Sequence, residues 1–201
     1  TGYAFSIDGI PIRSRASAAY SVYNTLAAYT ALRVSDAPTG RFRQTIEEFN
    51  YGNNREGTFA VNGSRVHLHL VKNPVGFQQK ISLVMKDAAP KDIIIQINDN
   101  FQDGTDISWL WDVDFLYLRD ANAASITVTG IRRLDMALRL KYEDIACEPA
   151  QDLEKAVREL SVNGTGNIYM IVNYTGLFPA NQMLRKMQAA SEKGRKRGQS
   201  K

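Results

Sequence analysis

A single cysteine, Cys147, in 201 residues excludes an internal disulfide and any zinc site built from several cysteines. A reducing, cytoplasmic setting is the expectation that follows. No apolar run approaches the roughly 20 residues of a membrane-spanning helix, and no secretory signal is visible. No G-x-x-x-x-G-K-[ST] loop occurs, and no G-x-G-x-x-G follows a strand. Neither a serine nucleophile elbow nor a Cys–His pairing is discernible. The chain therefore lacks the parts to bind a nucleotide or attack a substrate by itself.

What is present is ordinary globular material. Hydrophobic residues make up 44% and charged residues 23%, enough for one large or two small domains with a sizeable core. The net charge of +4 comes from one end. Arg185, Lys186, Lys193, Arg195, Lys196, Arg197 and Lys201 crowd the C-terminal stretch, and the rest is close to neutral. A basic terminus can touch anionic lipid or nucleic acid, and it is also what a solvated, frayed end looks like. No RNA-binding signature with interleaved aromatics accompanies it, so no nucleic-acid partner is expected. Thr1 leads without a methionine into strand-like residues, the look of a chain cut into a larger protein.

Residues 1–14 read as a hairpin turning at Asp8-Gly9. Ser17 is placed to cap a helix from about Ala18 to Arg33, whose Val22, Leu26, Ala27, Tyr29, Ala31 and Leu32 suit a well-buried element. A breaker cluster at 36–40, a short helix around Thr45–Phe49 and a polar linker through Gly57 follow. A second hairpin, turning at Asn62-Gly63, puts His67 and His69 on one strand face and Val66, Leu68 and Leu70 on the other. Two histidines so spaced can bind a metal; without a third ligand type nearby they read as an exposed polar face. Further helices are expected at Phe77–Lys86, Leu134–Tyr142 (Leu134, Leu138 and Lys141 sharing a face), Asp152–Leu160 and Pro179 to about Lys193. Strands are expected at Asp92–Ile97, Ser125–Gly130 and Asn167–Asn173. Strands alternating with helices predict a parallel α/β sheet covered on both faces.

One stretch, Ile97 to Phe115, concentrates the chemistry. It gathers Asp99, Asp103, Asp106, Asp112 and Asp114 with Trp109 and Trp111 around a glycine turn. It begins where an apolar strand ends, and open α/β sheets bind ligands outside the carboxyl ends of their strands. Carboxylates held beside bulky aromatics have tuned acidity. On pattern alone the stretch reads equally as an Asx-rich turn whose tryptophans fill a core. Acids without a nucleophile or base become useful when a partner supplies the rest. The third member of a nucleophile–histidine–acid set only orients the imidazole and stabilises its charged form, and nothing requires it on the same polypeptide.

Leu70-Val71-Lys72-Asn73-Pro74-Val75-Gly76, followed by Asp103 to Phe115 with its Asp-Ile-Ser-Trp-Leu-Trp-Asp run, resembles the MurT family, the Mur-ligase-like subunits of bacterial lipid II isoglutaminyl synthases. Thr129 to Arg133, Met136 to Leu140 and Asn173 to Leu177 match further, and Tyr20 to Tyr29 is similar to the helix that closes the central ATPase domain of Mur ligases. The resemblance covers essentially the whole chain, in order. It implies a Mur-ligase C-terminal-like (Rossmann-like) α/β fold, mostly parallel, with helices on both faces. Residues 1–40 would be the tail of the central ATPase domain, 41–57 a linker, 58–193 the C-terminal domain and 194–201 a basic tail.

The resemblance also implies an activity. Such subunits use ATP and Mg2+ to activate the D-glutamate α-carboxyl of the lipid II stem peptide as an acyl phosphate, at the inner face of the plasma membrane. Ammonia from a GatD-like glutaminase subunit then gives D-isoglutamine. An aspartate of the ligase subunit completes the glutaminase's Cys–His pair; matched residue by residue it is Asp106, with Asp112 the second choice. Trp109 and Trp111 become braces, Lys72 and Asn73 cleft residues, and Asn24 an adenine contact; no metal site is implied here. Arg132 and Arg133 read as anion ligands or as ordinary surface charges. In two respects the sequence departs from the family. Ser21 replaces the first of two adenine-side asparagines, and the family's P-loop and frequent zinc ribbon, which lie upstream, are not in these residues. The expectation is a C-terminal fragment that cannot run the ATP step alone. The alternatives are a docking module for the glutaminase and a stand-alone Mur-type or folylpolyglutamate-type ligase.

Overall fold

The computed structural model describes residues 2–15, 20–49 and 56–198, with side chains through Gly194. The chain divides into two compact units, Thr1–Asn53 and Asn54–Lys201. In the first, β1 (Tyr3–Ile7) and β2 (Ile10–Ser14) pair antiparallel across Asp8 and Gly9, both at positive φ. Two successive left-handed residues make the turn that matches strand twist, which is why Asp-Gly reads as a hairpin. Helices α1 (Tyr20–Val34) and α2 (Phe42–Glu48) follow, and Ile7, Ile12, Tyr29 and Phe42 form a small core. The expected deep burial of α1 is not found. Its buried residues are Ser21, Thr25 and Tyr29, one stripe at four-residue spacing, while Leu26 and Val34 are exposed. A two-stranded hairpin and a seven-residue helix cover one stripe of a helix and not its circumference. Of the expected linker, residues 42–48 are α2, packed on this core through Phe42 and Ile46. Residues 50–55 and the Ser17 cap lie outside the described residues.

The second unit is built on β3 (Glu56–Val61), β4 (Ser64–Leu70), β5 (Lys91–Gln96), β6 (Ala123–Thr129), a two-residue β7 (Glu148–Pro149) and β8 (Asn167–Val172). They form one sheet in the order β3-β4-β8-β5-β6-β7, antiparallel at β3–β4 and parallel elsewhere. Helices α3 (Pro74–Lys86) and α4 (Arg133–Lys141), with 3-10 turns at Ser108–Asp112 and Phe115–Asp120, cover one face. Helices α5 (Leu153–Asn163) and α6 (Tyr174–Gly198) cover the other. Alternation along β5 sends Ile93 and Ile95 to Phe77, Phe115 and Met136, and Ile94 to Val157 and Leu184. A strand covered on both faces has no polar alternation to show, so its sequence is a continuous apolar run.

Helix α6 and His69 differ from expectation, and α4 shows which of its faces is buried. Helix α6 starts at Tyr174 and runs to Gly198, with Pro179 inside it. Its first turn is anchored from another loop, as described below, so the missing proline N–H does not stop it. In α4 the buried side chains are Met136, Arg139 and Leu140, and Leu134 and Leu138 are exposed. His69 is buried at 7% exposure, stacked on Tyr169 with ring centroids 6.1 Å apart, and neither ring nitrogen has a hydrogen-bond partner.

Burial, then the nearby Lys80 charge, pushes the His69 pKa down to about 4. The unfolded chain takes up this proton near the ordinary imidazole value of about 6.5, and the folded chain only well below it. Stability present above that value is therefore lost as pH falls toward 4. Urea midpoints followed down this range are expected to fall less steeply in His69→Leu than in the parent. Parallel curves would refute the role of His69.

Candidate functional site

Because β4, β8, β5 and β6 are parallel, their carboxyl ends lie along one edge of the sheet. The segments leaving them are stitched together. The Asn98 N–H donates to Asn173 Oδ1 at 3.1 Å, and Asn173 Nδ2 donates to the Asn98 carbonyl at 2.6 Å. Asn98 Oδ1 accepts from the Ile131 N–H at 3.0 Å, which joins the exit of β6 to that of β5. Gly130 sits at φ +93°, and a Cβ there would lie 2.4 Å from the Ile97 carbonyl oxygen, so only glycine permits this approach. Asp103 accepts from the Thr175 N–H at 2.8 Å and from its hydroxyl, placing a carboxylate at the amino end of α6. That satisfies an orphan helix N–H and complements the helix dipole. Asp99 accepts from Arg132 Nε and Nη2 at 2.8 and 2.7 Å.

The five acids thus separate into roles that sequence could not assign. Asp99 and Asp103 fasten loops, and Asp114 caps the second 3-10 turn by accepting from the Leu116 N–H. Asp106 and Asp112 are exposed. Asp106 accepts the Ser108 N–H at 2.8 Å, and this backbone bond, with the Ser108 side chain, holds its carboxyl below the usual range. It is an ionised carboxylate of fixed direction that faces solvent. Among the described residues no such backbone bond is seen for Asp112.

The brace behind this turn is mainly a residue that sequence reasoning missed. Arg139 on α4 is 5% exposed, and its guanidinium donates to the Leu110 carbonyl at 3.2 Å and the Val113 carbonyl at 2.8 Å. A third bond reaches Glu143 at 2.8 Å, and the group lies 5.2 Å from the ring centres of both Trp111 and Phe115. A planar fork with several donors suits this clamp. Trp109 is half-buried against the core, its ring tilted beside Phe77 at 6.3 Å. Trp111, in contrast, is 52% exposed and contributes one face only. The available signal was an arginine set between Leu138 and Leu140. The matching asparagines, each directly after an apolar strand, were the signal for the Asn98–Asn173 pair.

The smaller assignments fare unevenly. Asn73 is the N-cap of α3, accepting from the Gly76 N–H at 2.8 Å with Pro74 at the first helical position, so its side chain is engaged structurally. Lys72 is exposed, with its ammonium 5.5 Å from the centre of the Tyr174 ring. Arg132 is paired with Asp99 and Asp135, and Arg133 donates to the Gly130 carbonyl, so neither is an open anion ligand. Asn24 is exposed on α1. Among the described residues no group of three or more histidine, cysteine or carboxylate side chains could hold a metal ion.

This mostly parallel sheet, covered by helices on both faces, has the fold of Mur-ligase C-terminal domains. A pseudomurein peptide ligase type C from Methanothermus fervidus matches with a TM-score of 0.65 at 13% identity, over 92% of this chain and 40% of that one. MurF from Acinetobacter baumannii matches with a TM-score of 0.64 at 9% identity, over 94% and 42%. The sequence model of the MurT ligase C-terminal family matches residues 70–177, more than half of the chain, and the chain belongs to that family. The "Lipid II isoglutaminyl synthase (glutamine-hydrolyzing) subunit MurT" of Staphylococcus aureus (strain COL) is 32% identical over 167 residues, 82% of this chain and 38% of the relative. Its Streptococcus pneumoniae (strain ATCC BAA-255 / R6) counterpart is 28% identical over 187 residues, 92% and 42%. The chain spans about two-fifths of the length of these relatives.

Proposed function

We propose that the chain is part of the ligase subunit of a lipid II isoglutaminyl synthase, and that its α/β unit supplies Asp106 to a GatD-like, glutamine-hydrolysing partner. One observation carries this reading. Asp106 is an ionised, directed carboxylate whose hydrogen bond is local, to Ser108 two residues on, beside two aspartates, Asp99 and Asp103, that tie distant segments together. In the partner, a cysteine thiolate attacks the glutamine carboxamide carbon after histidine has taken the thiol proton. That proton leaves with the ammonia, and water then releases glutamate from the thioester. Asp106 accepts the other imidazole N–H, fixing the tautomer and stabilising the imidazolium.

Ammonia then displaces phosphate from the activated α-carboxyl of D-glutamate in the lipid II stem peptide. ATP with Mg2+ would supply the activating phosphoryl group. Asn24 is open on α1 for an adenine edge, but the sequence has no phosphate-binding loop, so these residues cannot complete nucleotide handling. Among the described residues no helix is long and apolar enough to cross a membrane. On this reading the lipid substrate itself would bring the protein to the cytoplasmic side of the membrane. The test combines the intact protein with its glutaminase, ATP, glutamine and lipid II, and follows amide formation by mass spectrometry. Amidation that requires both proteins is the expected result. Addition of an amino acid without the partner would instead favour a stand-alone ligase.

A further inference from the structure

Helix α6 carries a charge asymmetry that neither the sheet nor the Asp106 turn uses. From Ser161 to Lys201 the sequence holds seven bases and one acid, Glu192. The helix meets the core through Ala180, Leu184 and Met187, all buried, whereas Arg185, Lys186 and Lys193 are exposed. At about 100° per residue these three, with Lys196 and Arg197, fall within one arc opposite the buried stripe. Phe178, 67% exposed, lies on the same arc two turns ahead of Arg185. Arg185 donates from Nε to Asn181 Oδ1 at 2.7 Å, and Glu192, at the margin of the arc, accepts from Gln188 at 3.2 Å.

Other solvated helix faces of the chain mix signs. Arg43 pairs with Glu47 on α2 and Arg158 with Glu154 on α5. None of the ion pairs among the described residues involves Arg185, Lys186 or Lys193. The outer arc of α6 is therefore an uncompensated positive line, roughly 16 Å long from Lys186 to Arg197. A line of charge along one side of a helix matches a plane. Bases on the outward face with an aromatic at one end are the pattern of a helix that lies in a membrane interface. A single-stranded nucleic acid is held by aromatics set among the bases, and no aromatic follows Phe178 in the sequence. Because the arc runs along the helix and not around its end, α6 would lie parallel to such a surface. The carboxyl edge of the sheet, where α6 begins, would then stay beside the surface and not be turned away from it.

We propose that the outer face of α6, Phe178 with Arg185, Lys186, Lys193, Lys196 and Arg197, lies on an anionic lipid surface. For lipid over other polyanions, this rests on the reading above that the substrate is lipid-linked. The test sediments the intact protein with vesicles of phosphatidylcholine alone, or mixed equally with phosphatidylglycerol, and without lipid II. The parent is expected to bind the mixed vesicles, less so as salt is raised, and not the neutral ones. A base near an anionic surface is worth about fivefold in binding and its reversal more, so Lys186→Glu with Lys193→Glu is expected to weaken binding about a hundredfold. Phe178→Ser is expected to weaken it several-fold. Lys86→Glu with Lys141→Glu makes the same change of net charge on α3 and α4, across the sheet, and is expected to bind like the parent. Equal loss in both pairs would reduce the effect to net charge and overturn the proposal. A parent that stays in the supernatant, or that binds both kinds of vesicle alike, overturns it too. An RNA oligonucleotide bound by the parent and lost by the α6 pair, with no vesicle binding, overturns it in favour of a nucleic acid. None of these results touches the amidation reading, whose own failure, with vesicle binding intact, would leave the lipid-binding face standing.

Discussion

Replacing Asp106 by asparagine is expected to lower glutamine hydrolysis by the assembled enzyme about a thousandfold or more, with complex formation unchanged. The amide keeps an oxygen for the Ser108 N–H, so the turn holds its shape. The group it offers a histidine, however, is a donor where an acceptor is needed, and the imidazole is driven to the wrong tautomer. In serine proteases the same exchange at the orienting acid costs about four orders of magnitude in turnover. The KM for glutamine is expected to stay within about twofold, since the acid acts on the histidine and not on bound substrate. Asp112→Asn is the internal control and is expected to be nearly silent. Full hydrolysis by Asp106→Asn would remove this residue from the mechanism, and a large loss in Asp112→Asn alone would move the role there.

The second large effect is on stability. Arg139→Ala removes the donors of the Leu110 and Val113 carbonyls and the cation lying against Trp111 and Phe115. Leaving buried acceptors without partners costs about 1–3 kcal/mol each, and lost packing adds to it, so about 3 kcal/mol is expected. For a unit of this size that is a melting temperature lower by roughly 6–12 °C. Arg139→Lys should recover only part of it, because an ammonium cannot reproduce the planar fork that spans two carbonyls. Thermal unfolding by circular dichroism gives the stability, and tryptophan emission reports whether the Trp111 turn has loosened. A drop of under about 1 kcal/mol, an ordinary surface effect, would mean that the turn is held by its other contacts.

The sequence was legible where local rules decide the outcome. Asp8-Gly9 and Asn62-Gly63 announced hairpins because a tight turn needs left-handed residues, and all four are at positive φ. The apolar runs of β5 and β8 announced a sheet buried on both faces. The fold class and family expected from the Asp-Ile-Ser-Trp segment agree with the fold and the family match. What stayed hidden was settled by contacts between distant segments. Periodicity shows that α4 has two faces but not which one meets the core, and Arg139 became an inward residue because two carbonyls from residues 110 and 113 wait for it. His69 looked like a surface residue because strand alternation separates faces without telling which face a helix covers. The acids looked alike until Thr175 and Arg132 were seen to tie two of them, Asp103 and Asp99, to distant segments.

The loop that carries Asp106 is fastened at both ends. Asn98 and Asp103 tie its beginning to α6 and the exit of β8, and Arg139 ties its end at Leu110 and Val113. Between these anchors only a handful of residues remain, too few to swing. Asp106 therefore travels only when the whole α/β unit travels, like a tooth on a gear. A rotation of that unit would carry the carboxylate with it as a fixed point, with no separate movement of the loop.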